Sequence, residues 1–314
     1  MKQVIISMSE GRQMNLVVEE SEAGQRLDAF LAGKIPDVSR SYIQKLIDDN
    51  LVLVNGKSTK GKIKTYPGMN ILVILPEPEP LLLKPEDIPL DIVYEDSDIL
   101  IINKPKDMVV HPAPGNKDNT LVNALLYHCK DSLSDINGVI RPGIVHRIDK
   151  DTTGLIAVAK NNKAHQSLAM QLKERSMKRI YEAIVEGIIK EDKGTIDAPI
   201  GRHPIDRKKM AVTPGKGREA VTHFEVLERL KGATHVRLRL ETGRTHQIRV
   251  HMAYIHHPVY GDPLYGASSR KKITGGQMLH ARYLRLIHPS TGEYMEFEAK
   301  LPDDFIKLLN SLKP

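Results

Sequence analysis

Between Arg141 and Leu155 the chain reads Arg-Pro-Gly-Ile-Val-His-Arg-Ile-Asp-Lys-Asp-Thr-Thr-Gly-Leu. One carboxylate, Asp149, stands among cationic neighbours just ahead of a Thr152-Thr153-Gly154 turn. The apolar run Leu155–Ala159 follows and would fix that turn at the end of a buried strand. A carboxylate held there would be ionised and aimed, as a nucleophile or general base must be. The plainer alternative is an aspartate that caps its own turn by accepting a backbone N–H. Spacing alone favours the plainer one, so the rest of the chain has to decide.

Three other segments could supply partners. Tyr181 lies in Lys178-Arg-Ile-Tyr-Glu-Ala-Ile-Val, a strand pattern in which a tyrosine either packs in the sheet or stacks on a base. In Leu240-Glu-Thr-Gly-Arg-Thr-His-Gln-Ile-Arg-Val-His-Met, Gly243 ends a strand and Thr245 is placed to cap a helix. Ile248 and Met252 would face the core of that helix, with Arg249 one step round and half-buried. A buried guanidinium is costly without a carboxylate, so one is expected beside it. The third segment, His257 to Gly266, is a glycine- and proline-rich loop suited to lining a pocket. His111, His146, His246 and His251 do not make a metal site by spacing. His246 and His251 are five apart, not the four that place two ligands on one helix face.

With 314 residues, 40% hydrophobic and 27% charged, the chain can bury a real core and form two domains. Its one cysteine, Cys129, cannot form an internal disulfide. The opening residues turn polar too soon for a signal segment, and no apolar stretch approaches the roughly 18 residues of a membrane span. A cytoplasmic protein is expected. No apolar stripe is left over for a partner copy, so a monomer is expected too. The net charge of +7 suggests a polyanionic partner. Residues up to Pro80 hold ten Lys and Arg against ten Asp and Glu, so the excess lies beyond. It gathers in 160–179, in 202–218 and at Arg270-Lys271-Lys272, which favours a groove for phosphates.

Residues 76–89 carry five prolines and no helical period, the mark of a stiff connector. They separate a head (1–75) from a body (90–314). In the head, Leu27, Phe30 and Leu31 have helical spacing. Ser39 would cap a second helix, Arg40 to Asp49, buried through Ile43, Leu46 and Ile47, with Asn50 as its left-handed stop. Asn55-Gly56 is a hairpin signal. The head resembles the S4 RNA-binding module in Arg26-Leu27-Asp28, Ser39-Arg40 and Val54-Asn55-Gly56-Lys57, although Asn50 stands where that family has glycine.

In the body, Ile92–Tyr94 and Ile99–Ile102 flank an Asp96-Ser97-Asp98 turn, and Thr120 can cap a helix reaching about Lys130. Ala164–Lys173 is helical by spacing. Arg179–Val185, Val221–Leu227, Val236–Leu240, Met278–Leu286 and Tyr294–Ala299 read as strands. Strands without regular helical crossovers predict an α+β fold with a largely antiparallel mixed sheet.

The whole pattern resembles the RluA family of pseudouridine synthases, most closely its RluD-like branch. The matching pieces are Asn103-Lys104-Pro105 with Val109-Val110-His111-Pro112, the Asp149 motif, Tyr181, the run from Gly243 to His251, and His257-Pro258 with Gly261-Asp262. Lys106-Asp107-Met108 depart from the family's Ala-Gly-Leu, and Ile148 and Thr153 replace Leu and Ser. The resemblance implies an isomerase that turns uridine into pseudouridine in RNA, here large-subunit ribosomal RNA, without cofactor or metal. It makes Asp149 the catalytic residue, ionised beside Arg249, with Tyr181 packed on the uracil. Arg147 would fill the space left by the extruded base, whose unstacking costs a few kcal/mol. His146, Thr152, Gly154, Arg244, His246 and Gln247 would line the substrate, and Arg40, Lys45 and Lys57 of the head would touch RNA. The alternatives are a non-catalytic RNA-binding factor and a metal-dependent RNA hydrolase.

Overall fold

The computed structural model describes residues 12–35, 38, 40–75, 83–112, 116–130, 132–136, 142–266 and 275–313. The chain forms two units, Met1–Leu81 and Leu82–Pro314. Expectations for Ser39, for connector residues 76–82 and for Arg270-Lys271-Lys272 fall outside the described residues. No described helix is long and apolar enough to cross a membrane.

The small unit holds β1 (Arg12–Val17), α1 (Leu27–Lys34), α2 (Arg40–Asp48), β2 (Val52–Val54), β3 (Lys57–Ser58) and β4 (Asn70–Leu75). Its antiparallel sheet runs β1-β4-β2-β3. Leu27, Phe30 and Leu31 of α1 pack with Ile43, Leu46 and Ile47 of α2, as their spacing requires. Asn50 takes φ 59° and ends α2, while Asn55 (φ 47°) and Gly56 (φ 75°) turn β2 into β3. Asp28 is buried and accepts hydrogen bonds from Arg26 and Arg40. The Arg26 bond above all holds its carboxyl at about 2, below the ordinary 3.8. That contribution to stability is complete above the ordinary value and is lost as pH falls through about 2.

Residues 83–90 run without helix or strand along the large unit, with Leu83, Ile88 and Leu90 packed on its core. Beyond them come β5 (Ile92–Glu95), β6 (Ile99–Lys104), α3 (Leu121–Cys129), β7 (Thr153–Ala159), α4 (Asn162–Lys173) and β8 (Lys178–Glu186). Then follow β9 (Lys193–Asp197), β10 (Ile200–Arg202), β11 (Met210–Val212), β12 (Val221–Leu230), β13 (Ala233–Leu240), α5 (Gln247–Tyr254), β14 (Leu279–Ile287), β15 (Tyr294–Glu298) and α6 (Asp303–Ser311). Thr120 caps α3 by accepting the Asn123 N–H.

The main sheet runs β5-β6-β7-β14-β8-β13-β12-β9, with β15 beside β14. Every pairing in it is antiparallel except β7 with β14. Helices α3 and α5 cover one face through Leu121, Leu125, Ile248 and Met252. Helix α4 and, further along, α6 cover the other through Leu168, Phe305 and Leu308. Strand β7 is thus covered on both sides and buried at every residue, which explains an apolar run without alternation.

The parallel contact is short. His280 opposes Thr153 and Ala281 opposes Gly154, and then β15 takes over that edge of β14 from Tyr283 onward. The sheet forks at the point where the Asp149 turn enters it. Gly154 makes the close approach possible: φ is +108°, and a Cβ there would lie 2.3 Å from the Ala281 carbonyl oxygen. This glycine packs strand on strand and does not line the cavity beside Asp149, unlike the substrate contact expected of it. Lys104, at the end of β6, fastens the turn from the other side. Its buried Nζ donates to the carbonyls of Pro105 (2.7 Å), Met108 (2.9 Å) and Lys150 (2.9 Å). Burial pulls its pKa down to about 7 against the pull of Asp151, Asp149 and Asp107. Asp107 holds φ 66° within this loop, so the departure from glycine leaves the left-handed bend in place.

Two outcomes follow from these contacts. Gly154→Ala is expected to cost more than about 3 kcal/mol, read as a lowered melting temperature of the full chain. An unchanged melting temperature would rule out the strand contact. Lys104→Met strands three carbonyls and should lower the melting temperature by about 5 °C or more. Its turnover should fall too, and full activity would show that the turn keeps its place without the lysine.

Candidate active site

Helix α5 carries Arg249 into the interior, where it is 4% exposed. Its Nε donates to Asp262 Oδ2 (2.6 Å) and its Nη2 to Asp262 Oδ1 (2.9 Å), a two-pronged pairing with a fully buried carboxylate. Asp262 Oδ1 also accepts the backbone N–H groups of Leu264 and Tyr265, so it cannot swing. The remaining arm, Nη1, donates to Asp149 Oδ2 at 2.9 Å across 100 residues of chain. The partner expected for Arg249 is therefore two carboxylates. Burial works against the guanidinium's charge, and the hydrogen bonds and charges of Asp262 and Asp149 outweigh it, so its pKa is raised. The ring of Tyr265 lies 5.2 Å beneath it.

Asp149 Oδ1 has no partner among the described residues, and Asp149 lines a cavity of about 580 Å³. Six cations stand in that wall, namely Arg147, Lys173, Arg175, Arg179, Arg244 and Arg249, against the acids Asp149 and Glu241. The imbalance attracts a polyanion. Tyr181 of β8 shares the wall, 5% exposed, and burial raises its pKa. His246 Nε2 lies 4.0 Å from Asp149, and its Nδ1 is hydrogen-bonded to the Tyr265 hydroxyl. Burial lowers its pKa despite Asp149, which favours the neutral imidazole.

The structure brings most of the expected site residues to this cavity, in different capacities. Arg147 alternates outward from buried His146 and Ile148 and is hydrogen-bonded to His111 at 3.1 Å. His146 braces β7, its Nε2 accepting the Ala157 N–H, and burial pushes its pKa down to about 3. Thr152 accepts from Gln277 Nε2, and Arg244 donates from Nε to the Glu219 carbonyl. Gln247 is corrected. Its amide nitrogen donates to Val221 O and Thr222 Oγ1, and its oxygen accepts from Thr242 Oγ1 and the Arg244 N–H. Those four bonds use up the amide, leaving nothing for a substrate.

Two other expectations change. Thr245 does not cap α5; His246 takes that position at φ 57°, and the Gln247 side chain satisfies the backbone ahead of it. The loop 257–266 does not line the cavity but supports Arg249 from behind through Asp262 and Tyr265. His251 is buried and bonded to Thr222 and Ala198. In the small unit Arg40 is bonded to Asp28, and Lys45 and Lys57 are exposed on α2 and β3. Sequence reasoning missed the roles of Lys104, Tyr265 and Arg179; a lysine ending an apolar strand was the one available signal for the first.

Comparison with known proteins agrees with this geometry. Residues 98–254 match the family model for RNA pseudouridylate synthase, and residues 25–62 match the S4 domain. An RNA pseudouridine synthase of Bacillus subtilis, YlyB, is 54% identical over 96% of this chain and 98% of its own length. Ribosomal large subunit pseudouridine synthase D of Pseudomonas aeruginosa is 47% identical over 92% of each. Among solved structures, human RNA pseudouridylate synthase domain containing 1 superposes with a TM-score of 0.58 and is 32% identical. That match covers 72% of this chain and 88% of the human one. With its S4 domain ahead of this site, the chain belongs to the RNA pseudouridylate synthases, isomerases of uridine in RNA.

Proposed function

We propose that this enzyme acts on large-subunit ribosomal RNA and that Asp149 is its catalytic carboxylate. The observation that carries the second part is the oxygen left over. Arg249 holds Oδ2, and Oδ1 is the atom the carboxylate can offer to a ligand in the cavity. The substrate assignment rests on the names of relatives such as the Pseudomonas enzyme, on the S4 unit, and on the excess of cations around the site. The same reading keeps the enzyme monomeric and cytoplasmic.

The chemistry asks little beyond a well-placed base or nucleophile. The bond from C1′ to N1 of uracil breaks, the base turns, and C1′ bonds to C5. The C5 proton leaves and N1 regains one, so atoms and oxidation state are unchanged. Asp149 has two routes, attack on C1′ or removal of the 2′ proton, and both require the ionised form. Arg249 acts through Asp149 as a positioning residue, fixed by Asp262. Tyr181 supplies a flat face for the uracil. Arg147, exposed between buried His146 and Ile148, would occupy the gap in the RNA.

Asp149→Asn should abolish pseudouridine formation on unmodified ribosomal RNA while leaving the RNA dissociation constant within about threefold. A variant that kept its rate would remove Asp149 from the mechanism. Arg249→Lys supplies charge without the fork and should lower kcat by more than about tenfold. Unchanged kcat would mean that the aspartate needs no such holder.

A further inference from the structure

Arg179 stands two residues before Tyr181 on β8, so both side chains leave the same face of the sheet toward the cavity. Its guanidinium lies over Gly243. A Cβ on Gly243 would fall 2.6 Å from Arg179 Nη1 and 3.6 Å from Cζ. Gly243 does not have the left-handed φ that would itself call for glycine. The glycine leaves room beside the strand, and the end of the Arg179 side chain occupies that room.

That guanidinium has no anion among the described residues. Its Nε is buried without a hydrogen-bond partner, and no carboxylate lies within ion-pair distance among the described residues. The neighbouring cavity arginines are all engaged. Arg249 has Asp149 and Asp262, Arg175 has Glu219 and Glu241, Arg244 has the Glu219 carbonyl, and Arg147 has His111. Beside Arg179 lies His146, kept neutral by burial and by the Arg179 charge itself. A cation largely withdrawn from water without a counter-charge among the described residues is costly, yet Arg179 lies on the cavity wall in the room left by Gly243. Such a site fits a ligand that brings its own negative charge.

We propose that Arg179 is the subsite for an RNA phosphate directly flanking the extruded uridine. The proposal rests on the reading of Asp149 as the reacting group. C1′ at Asp149, the base on Tyr181 and a phosphate at Arg179 form an order that one nucleotide can span. The carbonyls of a resting uracil are uncharged and would leave the guanidinium unneutralised. A phosphate carries a formal charge, and its oxygens suit the guanidinium fork.

The test uses a stem–loop of large-subunit ribosomal RNA bound by the wild type. Neutral methylphosphonates replace, one at a time, the phosphates on either side of each loop uridine. One replacement should weaken wild-type binding about 10-fold to 100-fold and add nothing further in Arg179→Gln. Gly243→Ala displaces the guanidinium without removing its charge and should show the same insensitivity. Full additivity of the two losses would overturn the proposal. So would an Arg179→Gln protein with reduced kcat and unchanged affinity, since the group would then act on the base. Affinity is read with or without turnover. Failure of the wild type to make pseudouridine would therefore strike the catalytic reading alone, and the coupling would still judge Arg179.

Discussion

The arrangement around Asp149 depends on one buried guanidinium with three occupied arms. Arg249 spends two of them on Asp262, itself fixed by two backbone N–H groups, and this leaves its third arm a single direction. A lone cation opposite a lone carboxylate could pair in several geometries. A cation already clamped by a second carboxylate cannot. The cluster carries two negative charges and one positive, and its outer oxygen keeps its acceptor capacity for whatever enters the cavity. The loop 257–266 is part of this device although it never reaches the cavity wall.

Much of the scaffold was legible because its signals are local. Leu27, Phe30 and Leu31 announced α1, Asn55-Gly56 announced the hairpin, and the apolar run after Gly154 announced a buried strand. Strands β1 and β4 went unread because neither is defined without the other, more than fifty residues away. The three-residue strands β10 and β11 have too few positions for a period. Asp149 and Arg249 were each conspicuous, but nothing in spacing joins residues 100 apart, and family resemblance supplied that link. The cap of α5 was misread for a physical reason: a glutamine side chain inside the helix does the work expected of Thr245. Lys104 stood out in sequence only as a lysine ending an apolar strand within a family motif, and its role shows in the three carbonyls around its Nζ.

The sheet explains why the reactive turn sits where it does. Antiparallel strands on both sides would return the chain along an unbroken surface. The single short parallel contact between β7 and β14, followed by β15 along the same edge, opens a fork instead. The Asp149 turn enters at that fork, and β8 passes on the far side of β14 with Tyr181 and Arg179 on its cavity face. Groups from β8, from the connection between α3 and β7, and from α5 therefore converge at this fork.

The backbone contact at Gly154 has a further consequence. With no side chain between β7 and β14 at Gly154, a shift of the aspartate turn toward β14 has no side-chain layer to take it up and meets main chain directly. The turn that carries Asp149 is thus held to β14 by main-chain packing. Unstacking a base costs a few kcal/mol, and least for one already unpaired, so a loop uridine is the least costly for an RNA to present to a turn fixed in this way.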